Sequence, residues 1–144
     1  MSRKWTTLAA VVTAVTLTAT GLSLADEDSP LHKVMEKVNS KNNAIKKATR
    51  TAPAYKKAQK ELSAYADELI VLGKESREMK SAAEKEKKPF AEWQKLSDDF
   101  IEKTGEFKTV VADASTTQEQ AKKAYTPVAA SCTACHNVFR KEDE

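Results

Sequence analysis

The sequence predicts an all-α protein, folded as an antiparallel up-down-up-down four-helix bundle. Only two glycines, Gly73 and Gly105, follow the first 25 residues, and no stretch alternates apolar and polar residues over the length of a strand. Four segments instead carry apolar residues at three- and four-residue spacing, which places one apolar seam along each helix. Short connections between these segments favour antiparallel neighbours.

The N-terminus has the pattern of a secretory signal peptide. Arg3 and Lys4 precede an uncharged run from Leu8 to Leu24, and a small-x-small cleavage signal ends at Ala25. A transmembrane anchor is the alternative, but the run is rich in threonine, is broken by Gly21 and ends in the cleavage signal. We therefore expect export to the periplasm, cleavage after Ala25, and no membrane insertion of the mature chain.

The predicted cleavage divides the chain into a signal peptide, residues 1–25, and one helical domain, residues 26–144. The signal contains two of the 24 basic residues and none of the 21 acidic ones, so the domain has a net charge of +1. No basic patch interleaved with aromatic residues is present, and we expect no nucleic-acid partner. The lysine pairs alternate with glutamates, which favours solvated helix faces, with docking of an acidic partner as the alternative.

The first two helices are expected to meet at Pro53. Ser29 is the predicted N-cap of the first helix, with Pro30 at its first position. Its apolar stripe comprises Leu31, Val34, Met35, Val38 and Ile45. The second helix runs from Pro53 to the charged stretch "EKEKKP", and its seam comprises Tyr55, Ala58, Leu62, Tyr65, Leu69, Leu72 and Met79.

The last two helices are bounded by a proline and a capping box. Pro89 opens the third helix, which "DAS" ends, and Thr116 with Glu119 forms the predicted capping box of the fourth. The third seam comprises Trp93, Leu96, Phe100, Phe107 and Val111. The fourth comprises Ala121, Tyr125, Val128, Cys132, Cys135 and Phe139, which puts both cysteines of the chain on the inward seam.

The segment from Cys132 to His136, "CTACH", has the spacing of a covalent haem attachment motif. Two thiols at this spacing reach the two vinyl groups of the porphyrin, and the adjacent imidazole takes one axial position of the iron. On a helix, Cys132 and His136 are one turn apart with Cys135 beside them, so all three emerge on one face. Export agrees with this chemistry, because such attachment is made outside the cytoplasm.

Three other interpretations of the motif have less support. A structural zinc site needs four ligands, but the only other histidine is His32 and no second CxxC exists. A thioredoxin-like dithiol needs a βαβ context, which this helical sequence lacks. Chance occurrence does not account for both cysteines of an exported chain lying inside one motif.

With these residues, the chain resembles the class II c-type cytochromes, the cytochrome c prime family. The resemblance rests on "CTACHNVFRK" on the last helix, with "MEKVNSKNNAI" and "FAEWQKLSDDFIEKTGEF" similar to the first and third helices of that family. It implies one covalently attached haem c per chain, with Cys132 and Cys135 as thioether sites and His136 as the proximal iron ligand. Relatives often pair through their first two helices, which leaves a homodimer open.

The family contains two chemistries, which Met35 distinguishes. Cytochrome c prime proper has a five-coordinate iron, whereas its low-spin relatives use a methionine of the first helix as the sixth ligand. In an antiparallel bundle, His136 and Met35 lie about 12 Å and 8 Å from the same end at about 1.5 Å per residue, with Trp93 and Met79 at comparable depth. We expect Met35 as the distal ligand, with His32 as the alternative and Met79 as core or rim filler.

Further residues are candidates for the haem surroundings. The resemblance places Arg140 near the proximal side or a propionate, with a solvated arginine at the helix C-terminus as the alternative. Phe139, Trp93 and Tyr125 are expected to pack against the porphyrin or in the core. Relatives often carry an arginine early in the first helix that meets a propionate, whereas this chain offers His32 and Lys33 there, so the propionate partner stays open.

The sequence thus predicts a periplasmic monohaem c-type cytochrome that transfers single electrons between redox protein partners. We expect no enzymatic activity, because no general base, activated nucleophile or phosphate loop was identified. The alternative is a gas-binding or sensing module with an open sixth position for nitric oxide or carbon monoxide.

Overall fold

The computed structural model describes residues 29–140, which are 87% helical and contain no strand. The predicted signal peptide lies outside these residues. Five helices follow one another: α1 (Pro30–Arg50), α2 (Ala52–Arg77), α3 (Ser81–Lys85), α4 (Phe90–Ala112) and α5 (Gln118–Phe139). The all-α prediction is confirmed at this level, and the helices pack in the manner of a bundle. No helix in the described range is both long and apolar enough to cross a membrane.

The first helix begins where its cap was predicted but ends earlier. The Ser29 side chain accepts a hydrogen bond from the backbone N–H of His32 at 3.2 Å. Thr51 then ends α1 and caps α2, since its hydroxyl accepts from the N–H of Ala54. Pro53 therefore lies in the first turn of α2. The expectation that Pro53 ends the first helix was wrong, because proline is tolerated where a helix's first N–H groups have no intrahelical partner.

The predicted capping box of the last helix is shifted by one residue. Thr117 and Gln120 form it, in place of Thr116 and Glu119. Thr116 is engaged elsewhere, since its hydroxyl donates to the carbonyl of Val110 at 2.5 Å near the end of α4. Its own carbonyl accepts a hydrogen bond from the Tyr55 hydroxyl at 2.9 Å. Thr116 therefore bonds to the end of α4, and Thr117 caps the start of α5.

The main hydrophobic core lies among the four long helices. Its fully buried side chains include Ile45 of α1, Leu62 and Leu69 of α2, Phe107 of α4 and Val128 of α5. The helix α2 packs along both α1 and α4, and α4 packs along α5. The helices α1 and α5 contact each other over far fewer residues, so they pack less extensively than these pairs.

A second, smaller core lies near the C-terminal end of α5. The charged stretch that was expected to separate the second and third helices folds partly into α3, and this short helix buries Ala82 and Ala83. These two alanines pack with Trp93 of α4 and Phe139 of α5. The described chain thus has a middle core and a separate apolar cluster towards one end.

Candidate functional site

The CxxCH segment occupies the last two turns of α5. The helix is started by the Thr117–Gln120 capping box and continues to Phe139, where the Arg140 N–H donates to the carbonyl of His136 at 2.9 Å. Cys132, Cys135 and His136 are therefore held in helical geometry. This geometry places them within about one turn of each other on neighbouring faces.

The two cysteines are free thiols that are half-buried. The inward stripe of α5 passes through Ser131, which is buried and donates its hydroxyl to the carbonyl of Val128 at 2.8 Å. The expectation that Cys132 lies on the inward seam is corrected in this respect, because the helix turns Ser131 inward and leaves Cys132 at the flank. Both cysteine residues are therefore partly accessible.

Burial controls the acidity of both thiols. It raises the pKa of Cys132, against a smaller opposing effect from the ammonium group of Lys46 on α1. Burial also raises the pKa of Cys135 to about 11, with the nearby Cys132 adding to the rise. At neutral pH both groups are therefore protonated thiols, with Cys132 within electrostatic reach of α1.

The imidazole of His136 is exposed but held in its neutral form. The packing that it does have lowers its pKa by desolvation, and the positive charge of Arg140 lowers it further. A neutral imidazole is the form that ligates a metal. Arg140 is itself exposed and ends α5, one turn beyond His136.

An apolar cluster, called here the end cluster, lies beside this motif. Its buried members are Ala82, Ala83, Trp93 and Phe139, and its half-buried members are Leu31, Met35, Phe90, Leu96, Cys135 and Val138. It therefore combines the start of α1, two residues of α3, the start of α4 and the end of α5. The expectation that Met35 and Trp93 lie at the same end of the fold as the CxxCH segment agrees with this arrangement.

Trp93 and Phe139 form an aromatic pair in the end cluster, and a hydrogen bond holds the Trp93 side chain in place. Its indole N–H donates to the carbonyl of Ser76 at 2.8 Å, near the end of α2. Its ring meets Phe139 edge to face, with centroids 5.2 Å apart and planes at 90°. This hydrogen bond and the edge-to-face contact join α2, α4 and α5 next to Cys135.

The candidate distal ligands occupy different environments. Met35 is half-buried and packs in the end cluster. His32 is exposed, and its Nε2 lies 3.7 Å from the Glu36 carboxylate on the same outer face of α1. Met79 is half-buried in the turn after α2, where its N–H donates to the carbonyl of Ser76. Of the three, Met35 is the one that shares an apolar environment with Cys135.

Several residues of this region were not singled out from the sequence. Ala82 and Ala83 directly precede the charged stretch whose composition indicates a boundary, and Phe90 directly follows the helix-opening Pro89. Val138 lies outside the fourth predicted seam, one residue before Phe139. Their apolar character and their closeness to Trp93 in the sequence could have indicated that they are buried. The five residues of α3 are too few, however, to give a periodic apolar pattern.

Within residues 29–140, no group of three or more histidine, cysteine, aspartate or glutamate side chains is arranged to hold a metal ion. No protein-family model, curated protein or solved structure matches the chain.

Proposed function

We propose that this protein is an exported monohaem c-type cytochrome that carries single electrons between redox protein partners. In this proposal its helices form an up-down-up-down four-helix bundle, and residues 1–25 direct it to the periplasm. Cys132 and Cys135 hold the haem through thioether bonds, and His136 is the proximal iron ligand. The bound haem supplies one-electron exchange between ferric and ferrous iron. We propose no enzymatic activity.

The proposal rests on the arrangement of two thiols and one imidazole at the end of α5. Cys132 and Cys135 are unpaired, half-buried thiols, and His136 follows them in the same helical turn. Addition across a vinyl group needs a thiol that is free and accessible, and a disulfide pair would not serve. The neutral imidazole of His136 is ready to ligate iron. The residues present therefore fit a covalently held haem.

The end cluster supports a haem environment with little water. Trp93 and Phe139 are buried inside this cluster and Cys135 is half-buried in it, so a haem held by Cys135 would border an apolar region. An apolar surrounding excludes water and favours a steady ligand set during electron transfer. Arg140 adds a positive charge one turn beyond His136, where it would stabilise the carboxylates of the haem.

Met35 is the proposed sixth ligand. It is half-buried in the end cluster, as a ligating thioether must be, and a thioether ligand raises the reduction potential. His32 is less suited, because it is exposed and lies beside Glu36 on the outer face of α1. Ligation by Met35 favours the electron carrier over a gas-binding protein, whose sixth position would be open.

Covalent attachment can be tested on protein produced with its signal sequence in a host that has a haem-attachment system. After denaturation and acid extraction, haem should stay with the polypeptide, and the Cys132→Ser and Cys135→Ser variants should each lose at least one of the two thioether bonds. The matched control is Ser131→Ala, which changes the neighbouring position and leaves both thiols. Release of all haem from the wild-type chain would overturn the proposal.

Ligation by Met35 can be tested by visible spectroscopy of the oxidised and reduced holoprotein. The wild type should be low-spin and Met35→Ala high-spin, because removal of the thioether opens the sixth position. Met79→Ala is the control, since Met79 is also half-buried but lies after α2. High-spin bands in the wild type would favour the gas-binding alternative. An unchanged low-spin spectrum in Met35→Ala would shift attention to His32→Ala.

A further inference from the structure

An open groove lies between the second half of α1 and the first half of α5. Its volume is about 300 Å³, and three cationic side chains line it: Lys46 and Arg50 from α1 and Lys122 from α5. Tyr125, Thr126 and Ala129 form much of the remaining surface. The lining contains no carboxylate, although the mature chain has almost as many acidic as basic residues.

The three cations of this groove, called here the α1–α5 groove, line one surface without a carboxylate among them. Two cations between other helices are paired with a carboxylate of the neighbouring helix: Lys41 lies 2.6 Å from Glu68 and Lys108 lies 2.6 Å from Asp67. Lys46, Arg50 and Lys122 have no ion pair with any residue in the described part of the chain. Their charge is therefore directed to solvent.

A second groove, between α2 and α4, has the opposite balance. Asp98, Asp99 and Glu102 line it together with Arg77 and Lys95. Arg77 is held by Asp98 through two hydrogen bonds of 2.6 and 3.1 Å, so its charge is largely compensated. Three cations without an ion pair thus line the groove between α1 and α5, whereas three carboxylates line the groove between α2 and α4.

The α1–α5 groove leads towards the CxxCH segment. Ala129, at one end of its lining, lies three residues before Cys132 on α5. The Lys46 ammonium is also close enough to Cys132 to lower the pKa of that thiol against the larger effect of burial. A partner seated on the groove would therefore lie beside the residues proposed to hold the haem.

We infer that the α1–α5 groove is the docking surface for an acidic redox protein. The redox character of the partner rests on the proposed function, whereas its acidity follows from Lys46, Arg50 and Lys122. The groove is open and shallow, a shape that suits a protein surface better than an enclosed small molecule. Complementary charge of this kind steers association and fixes orientation more than it adds affinity.

The location of the surface can be tested with a ten-residue glutamate peptide as probe. In ¹⁵N-labelled reduced holoprotein at low ionic strength, the peptide should shift the amide signals of Lys46, Arg50, Lys122 and Thr126. Binding should weaken by about tenfold or more in the Lys46→Glu/Lys122→Glu variant, because two attractive charges become repulsive. The control is Lys56→Glu/Lys57→Glu, which makes the same charge change on exposed residues of α2.

The effect of the groove cations on electron transfer can be tested by stopped-flow oxidation of the ferrous holoprotein with hexacyanoferrate(III). The rate for this anion should fall in Lys46→Glu/Lys122→Glu but stay near the wild-type value in the α2 control. The difference should shrink as added salt reduces the Debye length from about 30 Å at 0.01 M to about 8 Å at 0.15 M. Equal effects of the two double variants would show a response to net charge alone and overturn the inference.

Two further outcomes also have defined meanings. Self-association of the wild type at low salt that Lys46→Glu/Lys122→Glu abolishes would assign the groove to the acidic α2–α4 face of a second copy, and would overturn docking of another protein. If the chain carries no haem, the proposed function fails by itself. Peptide binding measured on that chain would still show whether the α1–α5 groove accepts acidic surfaces.

Discussion

Gly73 and Gly105 form a natural pair for testing how closely α2 and α4 pack. Both lie within helices, where alanine is favoured over glycine by about 1 kcal/mol. A Cβ atom added at Gly73 would lie 2.9 Å from Cγ1 of Ile101 and 3.0 Å from a ring carbon of Phe100. Apart from its chain neighbours and the backbone of its own helix, a Cβ at Gly105 would meet no atom within 4 Å.

The expected effects of alanine at the two positions have opposite signs. Overpacking costs about 1–3 kcal/mol, so Gly73→Ala should lose about 0–2 kcal/mol of unfolding free energy after the propensity gain. Gly105→Ala has no such cost and should gain up to about 1 kcal/mol. The two variants should therefore differ by about 1–3 kcal/mol.

Urea denaturation followed by circular dichroism at 222 nm would measure this difference. The slope of unfolding free energy against urea should stay the same in both variants, so that a change in midpoint reports stability. Equal stabilisation by Gly73→Ala and Gly105→Ala would refute the reasoning. It would mean that Ile101 and Phe100 can shift with no loss of unfolding free energy. The close packing of α2 against α4 would then not require glycine at position 73.

Two further predictions concern the end cluster and the α4–α5 turn. Trp93→Phe should lower the unfolding free energy by about 1–3 kcal/mol, because it removes the hydrogen bond to the Ser76 carbonyl and leaves a cavity where the buried indole was. The Ser76 carbonyl keeps the Met79 N–H as a donor, and unchanged stability in urea titrations would contradict this account. Asp113 has its pKa lowered from 3.8 because the N–H and hydroxyl of Ser115 both donate to its carboxylate. The ionised carboxylate therefore stabilises the fold above its ordinary pKa, and this contribution is lost as the pH falls through the lowered value. Asp113→Asn should be less stable than the wild type at pH 7, and thermal melts should show the difference shrinking below about pH 4, whereas a difference that does not depend on pH would argue against the charge.

The long helices could be predicted because their signals repeat. Apolar residues at three- and four-residue spacing, together with Ser29, Pro89 and the "DAS" break, located four helices close to their observed positions. The meeting of Met35, Trp93 and the end of α5 was also expected, because antiparallel neighbours of similar length place the end of one beside the start of the next.

The details that were wrong or missing depend on choices between adjacent residues. A helix turns by about 100° per residue, so Ser131 and Cys132 both lie near the inward direction and the spacing alone does not decide between them. The pair Thr116–Thr117 likewise offers two caps, and the hydrogen bond from Thr116 to Val110 decides which residue serves α5. The short α3 has no periodic pattern of its own.

The division of the apolar interior into two parts has a consequence for how the molecule opens. The middle core spans all four long helices, whereas the end cluster buries only Ala82, Ala83, Trp93 and Phe139 among the described residues. Local opening is governed by the apolar contacts that must be broken, so the end that carries Cys135 should open at a lower free energy than the middle core. The chain can therefore expose its last helical turns to other molecules while most of its backbone stays protected from hydrogen exchange.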